Sequence, residues 1–210
     1  MPDLLELNRR NLEAVYGPDN VVSVPESRLS EIGDPDTREA MRTLGLPFGK
    51  NPMFGLYREL AEKFDRLGQP LEWQVGNRFS KTVPESDTWI PLFAVFDDTI
   101  ALDPQSGKVH CLPQDGDIYL FSSSFRTYLH FLYIYEAELP HFDVGEEDPE
   151  EDEDNGSGEG DGEDAEFDPE GSRVRVENAM RAVDPVVLDN PESHWHRILE
   201  FIVDPEVFHW

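Results

Sequence analysis

Two pairs of closely spaced aspartates are the residues of this chain best suited to acid–base chemistry. Asp97 and Asp98 form one pair, Asp115 and Asp117 form the other, and both pairs lie at the ends of predicted strands. General acid–base catalysis by carboxylates requires two groups with different pKa values that face each other across a cleft. Because aspartate is also a common turn residue, these pairs alone do not define an active site.

The histidines and the single cysteine do not form a recognisable metal-binding or nucleophile pattern. His194 and His196 fall in a predicted helix, where a spacing of two separates side chains by about 200° and prevents joint binding of one metal ion. His110 and Cys111 are neighbours in a predicted strand, so their side chains point to opposite faces. We therefore expect no catalytic residue, no metal site and no cofactor.

Acidic residues dominate the composition and are concentrated in one segment. The chain has 45 acidic and 17 basic residues, a formal net charge of −28, and residues 146–170 contain fifteen acidic residues and no basic one. Such a charge repels nucleic acid and anionic membranes and attracts basic proteins. The segment is therefore either a solvated insertion without a partner or an electrostatic attractant for a basic protein.

The elements that must position these residues are predicted from apolar periodicity and from capping residues. N-caps are expected at Asp34, followed by Pro35 at the first helical position, at Ser122 or Ser123, and at Asn190. The predicted helices are 3–16, 34–45, 56–68, 122–139, 174–183 and 190–203.

Short segments rich in aromatic and β-branched residues predict the strands. They are 21–25, 71–76, 88–96, 99–103, 108–112 and 117–121, the last five forming an antiparallel meander. "DPQSGK", between the third and fourth of these five, is typical of a hairpin loop. The order of elements predicts an α+β fold with a central antiparallel sheet of about five to six strands flanked by helices. We expect one domain, 1–210, with an acidic and disordered insertion at 144–171 that cannot bury enough apolar surface to fold.

The N-terminus and the low cysteine content indicate a cytoplasmic protein. "MPDLLELNRRNLEAVYG" is typical of an amphipathic helix and not of a signal peptide. No stretch approaches the roughly 20 apolar residues of a membrane span. Cys111 has no second cysteine with which to form a disulfide within the chain.

Four segments resemble the SUKH superfamily, and within it the fourth subgroup of immunity proteins. They are "LEAVYGPDNVVSVPESRL", "REAMRTLGLP", "IALDPQSGKVHCL" followed by "DIYLFSSSFRTYLHFL", and "VDPVVLDNPESHWHRILEFI". Together they cover most of the chain outside 143–172. The resemblance implies a SUKH-like fold and a bacterial cytoplasmic immunity protein that binds and neutralises a cognate toxin, commonly a nuclease or a nucleic-acid deaminase, without catalytic residues.

Three hypotheses follow, in this order: an immunity protein with a basic toxin partner, a non-catalytic adaptor of the same fold with another partner, and an enzyme that uses one of the aspartate pairs. The first predicts that exposed acids contact the partner, while the oligomeric state stays open. The candidate partner-binding residues are Asp97, Asp98, Asp115, Asp117, Glu147, Asp148, Glu151, Asp152 and Asp154. We also predict that removal of residues 146–170 leaves the fold intact and slows association with the toxin.

Overall fold

The computed structural model describes residues 3–49, 55–67, 83–95, 98–142 and 166–205. Its helices are α1 (Arg9–Tyr16), α2 (Glu26–Leu29), α3 (Pro35–Thr43), α4 (Phe125–Glu138), α5 (Pro169–Val183) and α6 (His194–Phe201). Its strands are β1 (Val21–Val22), β2 (Leu46–Pro47), β3 (Ile90–Val95), β4 (Asp98–Leu102), β5 (Val109–Leu112) and β6 (Tyr119–Ser122). The chain therefore has the predicted α+β class.

The strands form two antiparallel sheets within the described residues. Strands β3, β4, β5 and β6 are hydrogen-bonded in sequence order, which confirms the meander for these four strands. Strands β1 and β2 pair separately as a two-stranded sheet. The single sheet of five to six strands is not observed, and the predicted strand at 71–76 lies outside the described residues.

Helix α4 is the centre of the fold. Ser124 is its N-cap, and a capping box joins Ser124 to Thr127, so the cap lies one or two residues later than predicted. Phe131 and Ile134 are fully buried although they lie off the main apolar stripe. Their burial shows that α4 is covered on more than one side, and α1, α3 and α5 pack against it.

The two faces of the four-stranded sheet are covered by different parts of the chain. One face carries Ile100, Cys111 and Phe121 into the main core beneath the helices. The other face carries Ala101 and Leu112 into a second cluster with Leu67 and Trp89. The segments before β3 therefore form the second cover of the sheet.

The predicted helix at 56–68 is wrong. Only a short 3₁₀ helix, Arg58–Ala61, forms there. The backbone N–H of Tyr57 donates to the carbonyl of Leu92 at 2.9 Å, and that of Leu67 donates to the carbonyl of Trp89 at 3.0 Å. The N–H of Leu67 is thereby lost to an α-helix over 56–68, whereas the N–H of Tyr57, in the first turn of such a helix, would have no intrahelical acceptor. Leu60 and Phe64 have helical spacing and are buried.

Other helix ends differ from prediction because nearby side chains cap them. Asn8 accepts a hydrogen bond from the N–H of Asn11, so α1 begins at Arg9 and not at residue 3. Asp168 caps α5, which begins at Pro169, inside the range 144–171 assigned to the insertion. Asp34 and Pro35 begin α3 as predicted.

Candidate functional site

The register of three adjacent strands places polar side chains together at one end of the sheet. Cys111 lies opposite Ile100 on β4 and opposite Tyr119 on β6. Asp98 is two residues before Ile100, so its side chain projects from the same face. One polar residue from each of β4, β5 and β6 therefore lies on the face that the helices cover.

Helix α6 brings His194 to this end of the sheet. Its N-cap is Ser193 and not Asn190 as predicted; the Asn190 side chain instead accepts a hydrogen bond from the N–H of Glu192. The next residue, Trp195, is fully buried, and its indole N–H donates to the carbonyl of Phe121 at 2.8 Å. This anchor fixes the first turn of α6 against β6, so the position of His194 is set by packing.

His194, Asp98 and Cys111 form a compact cluster. His194 Nε2 lies 2.7 Å from Asp98 Oδ2, and one ligand atom from each of the three residues lies within 4.8 Å of the others. The other oxygen of Asp98 accepts the backbone N–H of Gln114 at 2.7 Å. The carboxylate is therefore held from both sides.

Tyr119 links two members of this cluster. Its hydroxyl oxygen accepts the backbone N–H of His194 at 3.2 Å, and its O–H is hydrogen-bonded to the thiol of Cys111. Burial raises the pKa of Cys111 to about 12, although the hydrogen bond from Tyr119 acts in the opposite direction. A thiol with such a pKa is protonated near neutral pH, so Cys111 is not an activated nucleophile.

An acidic cleft of about 570 Å³ opens beside the cluster. Five carboxylates and one guanidinium, that of Arg197, contribute to its lining. Four of these acids are exposed, and Asp98 is partly buried. The five acids are Asp98, Asp115, Asp117, Glu192 and Glu200.

Of the nine predicted partner-binding residues, the structure brings three together in this cleft: Asp98, Asp115 and Asp117. The other six lie outside the described residues. They are Asp97, Glu147, Asp148, Glu151, Asp152 and Asp154.

Sequence reasoning did not associate His194 and Cys111 with Asp98. The loop between β4 and β5, "DPQSGK", was recognised as a hairpin turn, and a tight turn there sets Ile100 opposite Cys111. This register could have been used to predict that the two strand residues, Asp98 and Cys111, lie close together. Nothing in the local sequence indicated that α6, 83 positions after Cys111, would return to the same place.

His196 and His110, the other two histidines considered in the sequence, have surroundings of their own. His196 Nε2 contacts the carbonyl of Leu188 at 3.1 Å, whereas His194 contacts Asp98. His110 stacks on the ring of Trp89 with 4.4 Å between ring centroids, on the sheet face opposite Cys111. The two neighbouring side chains of β5 thus point in opposite directions, as strand alternation requires.

The described residues on either side of the acidic segment lie next to each other. The N–H of Asp168 donates to the carbonyl of His141 at 2.8 Å, and His141 Nδ1 lies 3.0 Å from the carbonyl oxygen of Glu166. The described residues that flank the acidic segment, His141 on one side and Glu166 and Asp168 on the other, are therefore close together.

The fold and the cleft together define an α+β domain with an acidic concave surface at one end of its sheet. A family model described as SUKH-4 immunity protein matches residues 7–201, so the chain belongs to the SUKH-4 immunity protein family. Membership implies toxin-neutralising immunity and a toxin partner, and such immunity proteins are generally non-catalytic. No curated protein and no solved structure matches the chain. Within the described ranges, no helix is long and apolar enough to cross a membrane.

Proposed function

We propose that this chain is a bacterial cytoplasmic immunity protein whose acidic cleft binds a basic toxin domain, with a nuclease or a nucleic-acid deaminase as the expected toxin chemistry. The observation that carries the proposal is the grouping of five carboxylates around one concave surface of a SUKH-4 family member. A toxin that acts on nucleic acid must present positive charge to the phosphate backbone. An inhibitor of such a toxin gains from a surface of the opposite sign.

The cleft acids are assigned two roles according to their exposure. Asp115 and Asp117 are exposed on the loop between β5 and β6, and Glu192 is exposed just before α6. These three acids attract the partner and set its orientation, because charged groups at the rim of an interface act mainly on association. Asp98 is held by His194 and Gln114, so its main contribution is to the local negative potential.

Asp97 and the acids of the insertion are assigned a weaker and longer-range role. Asp97 adjoins the cleft residue Asp98 in sequence. The other acids belong to the acidic segment, residues 146–170. Complementary charge of this density raises association rates by roughly 10- to 1,000-fold at low salt. The final affinity comes from a few buried anchor contacts, which aromatic or arginine side chains commonly provide. The acids of the acidic segment to which this role is assigned are Glu147, Asp148, Glu151, Asp152 and Asp154.

Two sets of charge-neutralising substitutions test the cleft. The first variant combines Asp115→Asn, Asp117→Asn and Glu192→Gln. The control combines Asp19→Asn, Asp36→Asn and Glu62→Gln, three exposed acids that do not line the cleft. Because both variants lose the same charge, a difference between them reports on position. If a toxin domain is encoded beside this gene, its association is measured by stopped flow, and protection is measured by co-expression in cells.

We expect the cleft variant to associate about tenfold more slowly than the control at low salt. If the wild-type protein neither binds nor protects against the neighbouring toxin, the immunity function with that toxin is wrong. Capture of a defined non-toxin partner that competes at the same cleft would favour the adaptor hypothesis. If the toxin binds but the two variants associate equally fast, the immunity function stands and the assignment of the cleft is wrong.

A further inference from the structure

The cluster at the base of the cleft has a composition that the immunity function does not use. It contains one imidazole, one thiol and one carboxylate, contributed by α6, β5 and β4. Cys111 and His194 are buried, and Asp98 is partly buried. A partner protein cannot contact a fully buried Cys111 directly, so the cluster requires a separate explanation.

We propose that Asp98, Cys111 and His194 bind a Zn²⁺ ion, with a fourth coordination position directed to the cleft. Binding displaces the proton of the Cys111 thiol, which is released to solvent, because cysteine coordinates zinc as the thiolate. The choice of metal follows from the ligands. Thiolate and imidazole are poor ligands for Mg²⁺ and Ca²⁺, which prefer oxygen, whereas Zn²⁺ accepts sulfur, nitrogen and carboxylate oxygen together. Three protein ligands and one open position are a common arrangement for Zn²⁺ in proteins.

The distances permit this coordination with small side-chain movements. Tetrahedral Zn²⁺ with ordinary bond lengths separates its ligand atoms by roughly 3.3–3.6 Å. The three candidate atoms already lie within 4.8 Å of one another. The nitrogen of His194 and the oxygen of Asp98 are 2.7 Å apart, so they must separate by roughly 0.6–0.9 Å for a zinc ion to replace their hydrogen bond.

The groups around the cluster resemble the outer shell of a metal site. Asp98 Oδ1 accepts the N–H of Gln114 at 2.7 Å, which leaves Oδ2 directed at His194. The hydroxyl of Tyr119 is hydrogen-bonded to Cys111 and receives the N–H of His194. Hydrogen bonds of this kind orient metal ligands and are a general feature of protein metal sites.

The site also lies where a fourth ligand can reach it. Asp98 and His194 line the cleft, so a water molecule or a side chain of a bound partner has access to the metal from that side. On the other side, Cys111 is closed off by the core. A zinc ion there would join β4 and β5 to the first turn of α6 and would stabilise the folded state by preferential binding.

Direct metal binding to the untagged full-length chain tests the proposal. The protein is stripped with a chelator, and Zn²⁺ is titrated against a chromophoric competitor in excess Mg²⁺, which occupies the carboxylate-only sites of the acidic segment. Co²⁺ is added separately, because a cysteine ligand gives a sulfur-to-cobalt absorption band in the near ultraviolet. The variants are Cys111→Ser, His194→Gln and Asp98→Asn, and the matched control is His196→Gln, which changes a cleft histidine outside the cluster.

We expect one tightly bound Zn²⁺ per wild-type chain and per His196→Gln chain, and an affinity at least about 100-fold lower in Cys111→Ser, since loss of an outer-shell partner alone costs 10- to 100-fold. Equal zinc affinity in wild type and Cys111→Ser would overturn the proposal. A Co²⁺ complex of the wild type without the sulfur band would overturn it as well, and this measurement needs no variant to fold. In either case the cluster is a hydrogen-bonded connection between α6 and the sheet.

Discussion

The imidazole of His130 on α4 lies 2.8 Å from the carbonyl oxygen of Leu4, with Nε2 directed at it. Tyr133, one turn further along α4, donates its hydroxyl to the carbonyl of Asp3 at 3.1 Å. The segment that precedes α1 is thus fastened to the central helix by two side chains. Because His130 is buried and can titrate, the stability of the folded protein depends on pH.

The folded protein is expected to lose stability in mild acid through His130. Burial lowers the pKa of His130 below its ordinary value of 6.5, and nearby Arg126 acts in the same direction, whereas the Leu4 carbonyl and Asp3 oppose the shift. Between the lowered folded pKa and 6.5, the unfolded chain binds more protons than the folded chain, so stability falls as pH falls through this window. The contribution cannot exceed about 1.4 kcal/mol per pH unit.

His130→Gln tests this effect, because glutamine keeps an amide donor for the Leu4 carbonyl and does not titrate. Urea unfolding is measured from about pH 7 to about pH 5 for both proteins. We expect the stability advantage of the wild type over the variant to shrink as the pH is lowered. Parallel stability curves across this range would contradict a lowered pKa at His130.

A second prediction concerns a buried carboxylate under α5. The Glu138 side chain is 2% exposed, and Arg175 Nε lies 2.9 Å from its Oε2. Arg175 also reaches Asp168 at 2.9 Å, and this guanidinium is the main reason that the pKa of Asp168 is lowered. Arg175→Met leaves the carboxylate of Glu138 buried without its guanidinium, which we expect to cost about 3 kcal/mol of the free energy of unfolding.

The same helix offers a matched control for this substitution. Arg181 pairs with Glu177 at 2.9 Å, but its side chain is 42% exposed. Arg181→Met should therefore cost no more than about 0.5 kcal/mol. Urea unfolding compares the two variants, and the double variant Glu138→Gln with Arg175→Met should recover part of the loss. Equal losses in Arg175→Met and Arg181→Met would show that burial of Glu138 does not make its ion pair important.

A third prediction concerns the acidic segment, and the structure changes the boundaries of the deletion that tests it. Removal of residues 146–170 also removes Asp168, the N-cap of α5 and a partner of Arg175. Removal of residues 146–165 keeps these contacts and eliminates twelve of the 45 acidic residues. Because His141 contacts both Glu166 and Asp168, the remaining residues 143–145 have only a short gap to span.

We expect the shorter deletion to leave the free energy of unfolding nearly unchanged, and the longer one to cost at least about 1 kcal/mol, the usual effect of losing an N-cap. If the acids steer a basic toxin, the shorter deletion also slows association and weakens its dependence on salt. Stopped-flow association at several salt concentrations measures this effect. An association rate and a salt dependence equal to those of the wild type would show that the segment is a passive insertion.

The sequence predicted those parts of the fold that depend on neighbouring residues. Asp34 and Pro35 identified the start of α3, and "DPQSGK" identified the turn between β4 and β5. The prediction failed at 56–68, where Leu60 and Phe64 have helical spacing but the N–H of Leu67 donates to the carbonyl of Trp89, just before β3. Local patterns cannot show which remote backbone groups compete for the same donors.

Only part of the candidate site could be predicted, because the rest depends on contacts between residues that are far apart in the sequence. Asp115 and Asp117 were chosen because exposed acids on a sheet loop are suited to a basic partner, and both line the cleft. The contact of Asp98 with His194 joins residues 96 positions apart, and it exists because Trp195 anchors α6 on β6. Such a contact depends on the packing of the core, which residue spacing does not encode.

The last prediction tests whether this anchor controls both stability and the site. Trp195 stacks on Phe121 with 4.5 Å between ring centroids, meets Phe131 edge-on, and is fully buried. Trp195→Ala should lower the free energy of unfolding by about 3–5 kcal/mol, and the melting temperature should fall by several degrees for each kcal/mol. Glu200→Ala, on the exposed face of the same helix, should change stability by no more than about 0.5 kcal/mol.

Since His194 precedes Trp195 directly, loss of the indole should also release His194 from Asp98, which appears as a shift of its imidazole NMR signals. A destabilised Trp195→Ala protein with an unchanged His194 spectrum would show that Ser193 and the strands hold the site without the indole.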